Sequence, residues 1–214
     1  MARWHKLGIM GLLTMAAAAW QVAQTRSPEP RLEIAATPPQ GRTPCPWRNP
    51  GADLRRLFPT ATGYETLTLI LSGYRDELTR RLGRVPNGDE NSLRLYQVWQ
   101  ETNALGWVLT RRTKGEHGAI ELVLALDCSQ RVCGVCLQRM REPALVSAAL
   151  TDSGWLAAFR GKSAEDEWRL GKDLPQVPEP ARVSAGAVVE GARSVLISLA
   201  IAQSNISEAR IPKR

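Results

Sequence analysis

Three cysteines fall within nine residues of the stretch DCSQRVCGVC, at Cys128, Cys133 and Cys136, and a fourth, Cys45, lies far upstream. Four thiolates can hold zinc or an iron–sulfur cluster if they converge on one point. Strand periodicity opposes that convergence. If Cys133 and Cys136 share a strand, the period of two sends their side chains to opposite faces, so the expectation is no metal. A disulfide across the turn, from Cys128 to Cys133, is a second reading. Buried or unpaired thiols are the third.

Other reactive groups are sparse. The two histidines are His5 and His117, and His5 lies in the basic start of an N-terminal signal-like segment, so a His-based triad would rest on His117 alone. No GxSxG, HExxH, Walker or dinucleotide-binding pattern is present, which leaves hydrolase, protease and nucleotidase chemistry without a sequence handle. Glu142 stands where a strand ends, a place in which a carboxylate is more often solvated than catalytic. No catalytic residue is assigned.

These groups must be positioned by one main domain. The 214 residues are 43% hydrophobic and 23% charged, ordinary for a folded unit. Net charge is +7, but the 28 lysines and arginines are scattered rather than gathered into a nucleic-acid arm, so no nucleic-acid partner is expected. At the N-terminus, the basic MARWHK precedes the apolar LGIMGLLTMAAAAW with small residues at Ala17 to Ala19, the pattern of an export signal. Residues 7 to 20 are fourteen, short of the ~20 that span a bilayer, which favours cleavage over a retained anchor. Retention would leave Arg3, His5 and Lys6 on the cytoplasmic side and the rest of the chain facing the periplasm, held at the inner membrane. Export in turn permits disulfides.

The chain then divides into a signal or anchor over 1–23, a Pro-rich linker over 24–50, a folded domain over 51–203 and a polar tail over 204–214. In the domain, NPGADLRRLFP reads as a short helix with Asp53 in its first turn and a stop at Pro59. ETLTLIL alternates like a strand, and Ser72 is expected to cap the helix that follows. Strands are expected at 93–100, 104–112, 119–127 and 132–140, joined by polar turns into an antiparallel meander. The run Ile120 to Leu126 is apolar on both faces, as in a covered central strand. After Pro143 a helix breaks near Asp152, with Trp155, Leu156 and Phe159 as core residues. A Pro-rich loop then leads to a long apolar helix that Ser184 is expected to cap. The expected fold class is α+β, a twisted, mainly antiparallel sheet covered by helices.

In this order, GEHGAIELVLALD, a turn, VCGVCLQRMRE and WLAAFRGK resemble the FMN-binding domain of exported flavoprotein subunits of Rnf and Nqr respiratory complexes and related periplasmic flavin carriers. That family has a strand of the type GxxGxIxLxVGID, a short turn, a GV-containing strand and a glutamate near its end. Gly115, Gly118, Ile120, Asp127, Gly134, Val135 and Glu142 fall at similar positions, as do Trp155, Leu156, Phe159, Gly161 and Lys162 in the later motif. LFPTATGYE resembles the family's opening segment. The resemblance covers most of residues 51–202 and implies a tight hairpin turn, rather than a ligand cage, for the cysteine stretch.

The chain departs from the family where flavin is attached. Members with covalent FMN carry a D-x-x-SGAT loop whose threonine oxygen is joined to the FMN phosphate by a transferase. Anchored on Asp173, the motif puts Gln176 at the serine and Glu179 at the acceptor. Anchored on the final helix, the preferred register, it puts Ser184, Ala185 and Gly186 at the first three places and Ala187 at the threonine, with Ala181 replacing the aspartate. Neither register supplies a hydroxyl, and Pro175, Pro178 and Pro180 remove amide donors from the approach. The resemblance therefore implies an electron carrier or accessory subunit with FMN held noncovalently or only as a vestige. Glu142, Ser184, Ala185, Gly186 and Ala187 would then border the flavin, and the partner would be a membrane-associated redox complex or exported electron-transfer protein. The alternative is a flavin-free structural or docking subunit of such a complex, with no cofactor; an unrelated exported binding module is a third reading.

Overall fold

The computed structural model describes residues 50 to 210, with side chains through Gln203. The signal or anchor, the linker and Cys45 lie outside the described residues. Helix α1 (Gly51–Leu57) is followed by β1 (Gly63–Ile70), α2 (Arg75–Leu82), and strands β2 (Ser92–Gln100), β3 (Asn103–Lys114), β4 (Ala119–Leu126) and β5 (Val132–Met140). Helices α3 (Ala144–Leu150), α4 (Ser153–Ala157) and α5 (Arg182–Arg210) complete the chain. The strands form one five-stranded sheet in the order β1-β2-β3-β4-β5, every pair antiparallel. This is the expected α+β meander.

Alternation decides which face each residue takes. Leu93 and Leu95 of β2, Leu109 of β3, and Ile120, Leu122 and Leu124 of β4 join a core with Leu78 of α2, Val146 and Leu150 of α3, and Val188, Val195 and Leu196 of α5. Trp155 and Phe159 belong to this core, with Leu156 packed at its edge, as the sequence led one to expect. Their rings meet edge to face at 5.1 Å, and Phe159 meets Trp168 at 5.8 Å. On the other face, α1 lays Leu54 and Leu57 over Tyr96, Val98, Val108, Val123 and Cys136. Beyond α1, that face is polar, with the Arg112 guanidinium 2.6 Å from its register partner Glu121. Asp152 caps α4 by accepting the Trp155 N–H at 2.8 Å, which places the expected helix break.

Two capping expectations are corrected. Ser72 opens a 3₁₀ turn, Ser72–Tyr74, instead of capping a helix; the Tyr74 ring is drawn into the core and α2 starts after it. Ser184 lies inside α5 because the proline-initiated 3₁₀ turn Glu179–Ala181 runs directly into a helix starting at Arg182. Residues 182–187 are therefore helix rather than loop. At its other end α5 continues to Arg210, into the stretch read as a tail.

The strands are also less regular than alternation suggests. Pairing of Val98 with Gly106 and Trp99 with Ala104 leaves Leu105 as an extra residue. Pairing of Ala125 with Gly134 and Leu126 with Val132 does the same to Cys133. Gly106, beside the first bulge, has φ +149, and a Cβ there would sit 2.0 Å from the Leu126 carbonyl oxygen. Both the backbone angle and the space call for glycine. Gly106→Ala should lower the unfolding free energy by about 2–3 kcal/mol, read as a fall in denaturant midpoint at unchanged slope.

Candidate functional site

The hairpin between β3 and β4 is a reference point because two residues singled out from the sequence meet there. The Glu142 side chain is fully buried, unlike the solvated carboxylate its position suggested. One of its oxygens lies 2.9 Å from the His117 ring Nδ1, and the other accepts the His117 N–H at 3.3 Å. The Ser184 hydroxyl, also buried, accepts the Glu116 N–H at 2.9 Å. Gly115 permits this packing, because a Cβ there would lie 2.1 Å from Glu142 and 3.0 Å from the Ser184 oxygen. Glu142 and Ser184 thus fasten the hairpin to the start of α5.

Next to that fastening is a cleft of about 680 Å³ between the first half of α5, the ends of β3 and β4 that meet at the hairpin, and the segment from Arg84 to Glu90. Ala187 lines it; Glu142, Ser184, Ala185 and Gly186 do not. Ala185 is buried in the core. The Ala187 carbonyl accepts the Thr113 hydroxyl at 3.0 Å, joining helix to strand along the cleft floor. Gly191 keeps the two close: a Cβ there would contact Thr113 at 3.4 Å and Arg111 at 3.6 Å.

Charge lines the rest of the cleft. Arg84 donates to both oxygens of Glu90 at 2.8 Å, and to Glu190 of α5 at 2.9 Å. Asn87 adds its N–H to Glu90 at 2.7 Å, completing a capping box for the 3₁₀ turn Gly88–Asn91. Burial pushes the Glu90 carboxyl up, but the Arg84 guanidinium and the Asn87 N–H more than offset this and hold it at about 2. Arg84 is raised in return, chiefly by its hydrogen bond to Glu90.

Arg111 differs from its neighbours. It follows Leu109 on the α5 side of β3 and is 9% exposed. Its Nη1 donates to the Asp89 carbonyl at 3.1 Å, while Nε and Nη2 are buried with no hydrogen-bond partner among the described residues. Burial pushes its guanidinium down, opposed by the nearby Glu90 and Asp89 carboxylates. The only sequence signal for Arg111 was the alternation Leu109, Arg111, Thr113, which sets one arginine of the RR pair on the core side.

The cysteines lie away from this cleft. Cys128, Cys133 and Cys136 are free thiols, so the cross-turn pairing of Cys128 with Cys133 is not formed. The Cys128 thiol donates instead to the Ala104 carbonyl at 3.3 Å, and Cys133 is the extra residue of the bulge. Cys136 lies under α1, where burial pushes its thiol up. The Asp127 side chain shapes the turn by accepting the N–H groups of Ser129 and Arg131. The stretch builds a hairpin turn, as its likeness to the family implied.

No model of a known protein family matches the chain, and no curated protein matches it. Among solved structures, the crystal structure of Shewanella oneidensis NqrC is similar, with a TM-score of 0.51 and 16% identity over 73% of this chain and 89% of that one. At this identity the likeness is one of fold.

Because the folded Glu90 carboxyl lies near 2 rather than about 4.5, its contribution to stability is present above about pH 4.5 and lost as pH falls toward 2. With Arg84 one-third exposed, the contribution is on the order of 2 kcal/mol after allowing for solvent screening. Glu90→Gln should lower stability at pH 7 and flatten its dependence over pH 2–4.5, measured by urea unfolding across pH.

Proposed function

We propose that this chain is an FMN-binding-domain-like protein of an exported electron-transfer system, and that it holds its flavin noncovalently in the cleft between α5 and β3. Its periplasmic or inner-membrane placement and its partnership with a membrane-associated redox complex or exported electron-transfer protein belong to the same proposal. The reading draws on the fold shared with NqrC and on the motifs quoted from the sequence. One observation carries it furthest: Ala187, at the position matching the family's acceptor threonine, lines a cleft of about 680 Å³.

The residues present fit such a group in outline. The orphaned edge of Arg111 is a ready partner for an anionic end, and Arg84 and Lys114 add positive charge nearby. Bound FMN would supply the one- and two-electron chemistry, and the protein would supply binding and orientation. Ala187 offers a methyl where an ester would need an oxygen. The neighbouring Thr113 hydroxyl is already engaged with the Ala187 carbonyl.

A flavin-free docking subunit is the second reading. The cleft lining supports it: none of the lining residues is aromatic, and Glu90 and Glu190 place two carboxylates beside any anionic ligand.

Equilibrating the full chain with FMN separates the readings. Noncovalent binding predicts quenched flavin fluorescence and a yellow protein that surrenders all its flavin on acid precipitation. A chain that quenches no FMN fluorescence supports the docking subunit. Flavin retained after denaturation would overturn the noncovalent reading.

A further inference from the structure

We propose that Arg111 is the docking point of a phosphate-type oxyanion in the cleft between α5 and β3. The inference deepens the cleft reading above and rests on it for the location of the ligand. Nε and Nη2 form one edge of the guanidinium, the fork that takes two oxygens of a single oxyanion in parallel hydrogen bonds. Both lack a partner among the described residues, although burying a charged donor without one is costly.

The protein has carboxylates close by and directs them elsewhere. Both Glu90 oxygens accept from Arg84, and one of them accepts also from Asn87. Glu190 is held by Arg84, and Glu121 pairs with Arg112 on the opposite face. The third nitrogen, Nη1, donates to the Asp89 carbonyl. Of the charged lining residues, Arg112 turns to Glu121 on the opposite face, which leaves Arg84, Arg111 and Lys114 beside Asp89, Glu90 and Glu190. Since Nε and Nη2 are sealed from solvent, the oxyanion meets them only when the side chain turns outward and gives up its bond to the Asp89 carbonyl; Gly191 leaves the arginine stem uncrowded on its helix side.

The test uses inorganic phosphate on the full chain, with chloride at matched ionic strength as reference, read by thermal unfolding and calorimetry. Phosphate should raise the melting temperature of the wild type, and Arg111→Gln should abolish the rise. Arg55→Gln, which removes the same charge from α1 on the other face, should leave it intact. FMN should bind about tenfold or more tightly than riboflavin, which lacks the phosphate, and the gap should close in Arg111→Gln. Phosphate that does no more than chloride, or acts equally on Arg111→Gln, overturns the proposal. If phosphate acts through Arg111 while neither flavin binds, the anion site stands and the flavin reading falls. If both flavins bind equally and phosphate does nothing, the flavin reading stands and the anion site falls. Should Arg111→Gln fail to fold, the wild-type comparisons of phosphate with chloride and FMN with riboflavin decide.

Discussion

The packing of α5 across the sheet is the constraint from which the rest follows. Ala185, Val188, Val189, Ala192, Val195, Leu196 and Leu199 are buried, a stripe at helical spacing that covers the leucine face of the strands. Truncating one of the large members of such a stripe typically costs ~2–4 kcal/mol. By length and composition the stretch Glu179–Gln203 resembles a membrane span, yet 72% of its most apolar window is buried inside the protein, as in a core helix. Polar bonds fix the helix in place: Arg193 donates to the Arg81 and Leu82 carbonyls at the end of α2, and Glu190 reaches Arg84. The cleft lies where this helix runs beside a charged rather than an apolar part of the sheet.

Most of this arrangement could be read from residue patterns. Alternation located all five strands to within a few residues, and Asp152 marked a helix boundary through a side-chain bond that its residue type favours. The failures share a physical origin. Ser72 and Ser184 have the right chemistry for caps, but the Tyr74 ring and the Pro178 to Ala181 segment, features outside the capping positions, decided where the helices began. Bulges at Leu105 and Cys133 are invisible to a strict period of two, since the extra residue depends on how neighbouring strands pair. Glu142 looked solvated because nothing nearby in sequence shows that the His117 loop folds over it.

The candidate site was half legible for a related reason. Ala187 was found by its motif position, and it does line the cleft. Arg84 and Glu90 share one segment, but Arg111 and Glu190 come from two others, and no local pattern unites the three. A fold hosts many functions, so the likeness to NqrC constrains the scaffold, while the argument for a ligand rests on these side chains.

The strict neighbour-to-neighbour order of the strands has a consequence for how the molecule is assembled. The three hairpins from β2 to β5 close short loops, while β1 reaches β2 through α2, so most of the meander can form from local contacts at little entropic cost. The wall formed by α5 comes from the last segment of the described chain and must return across strands formed far earlier in sequence. Without that return, the part of the leucine face that α5 covers would be open to water, and Arg111 would lack its helix-side cover. Completion of the tertiary structure and formation of the cleft are therefore coupled, and a truncation that spared every strand but removed α5 would erase the cleft altogether.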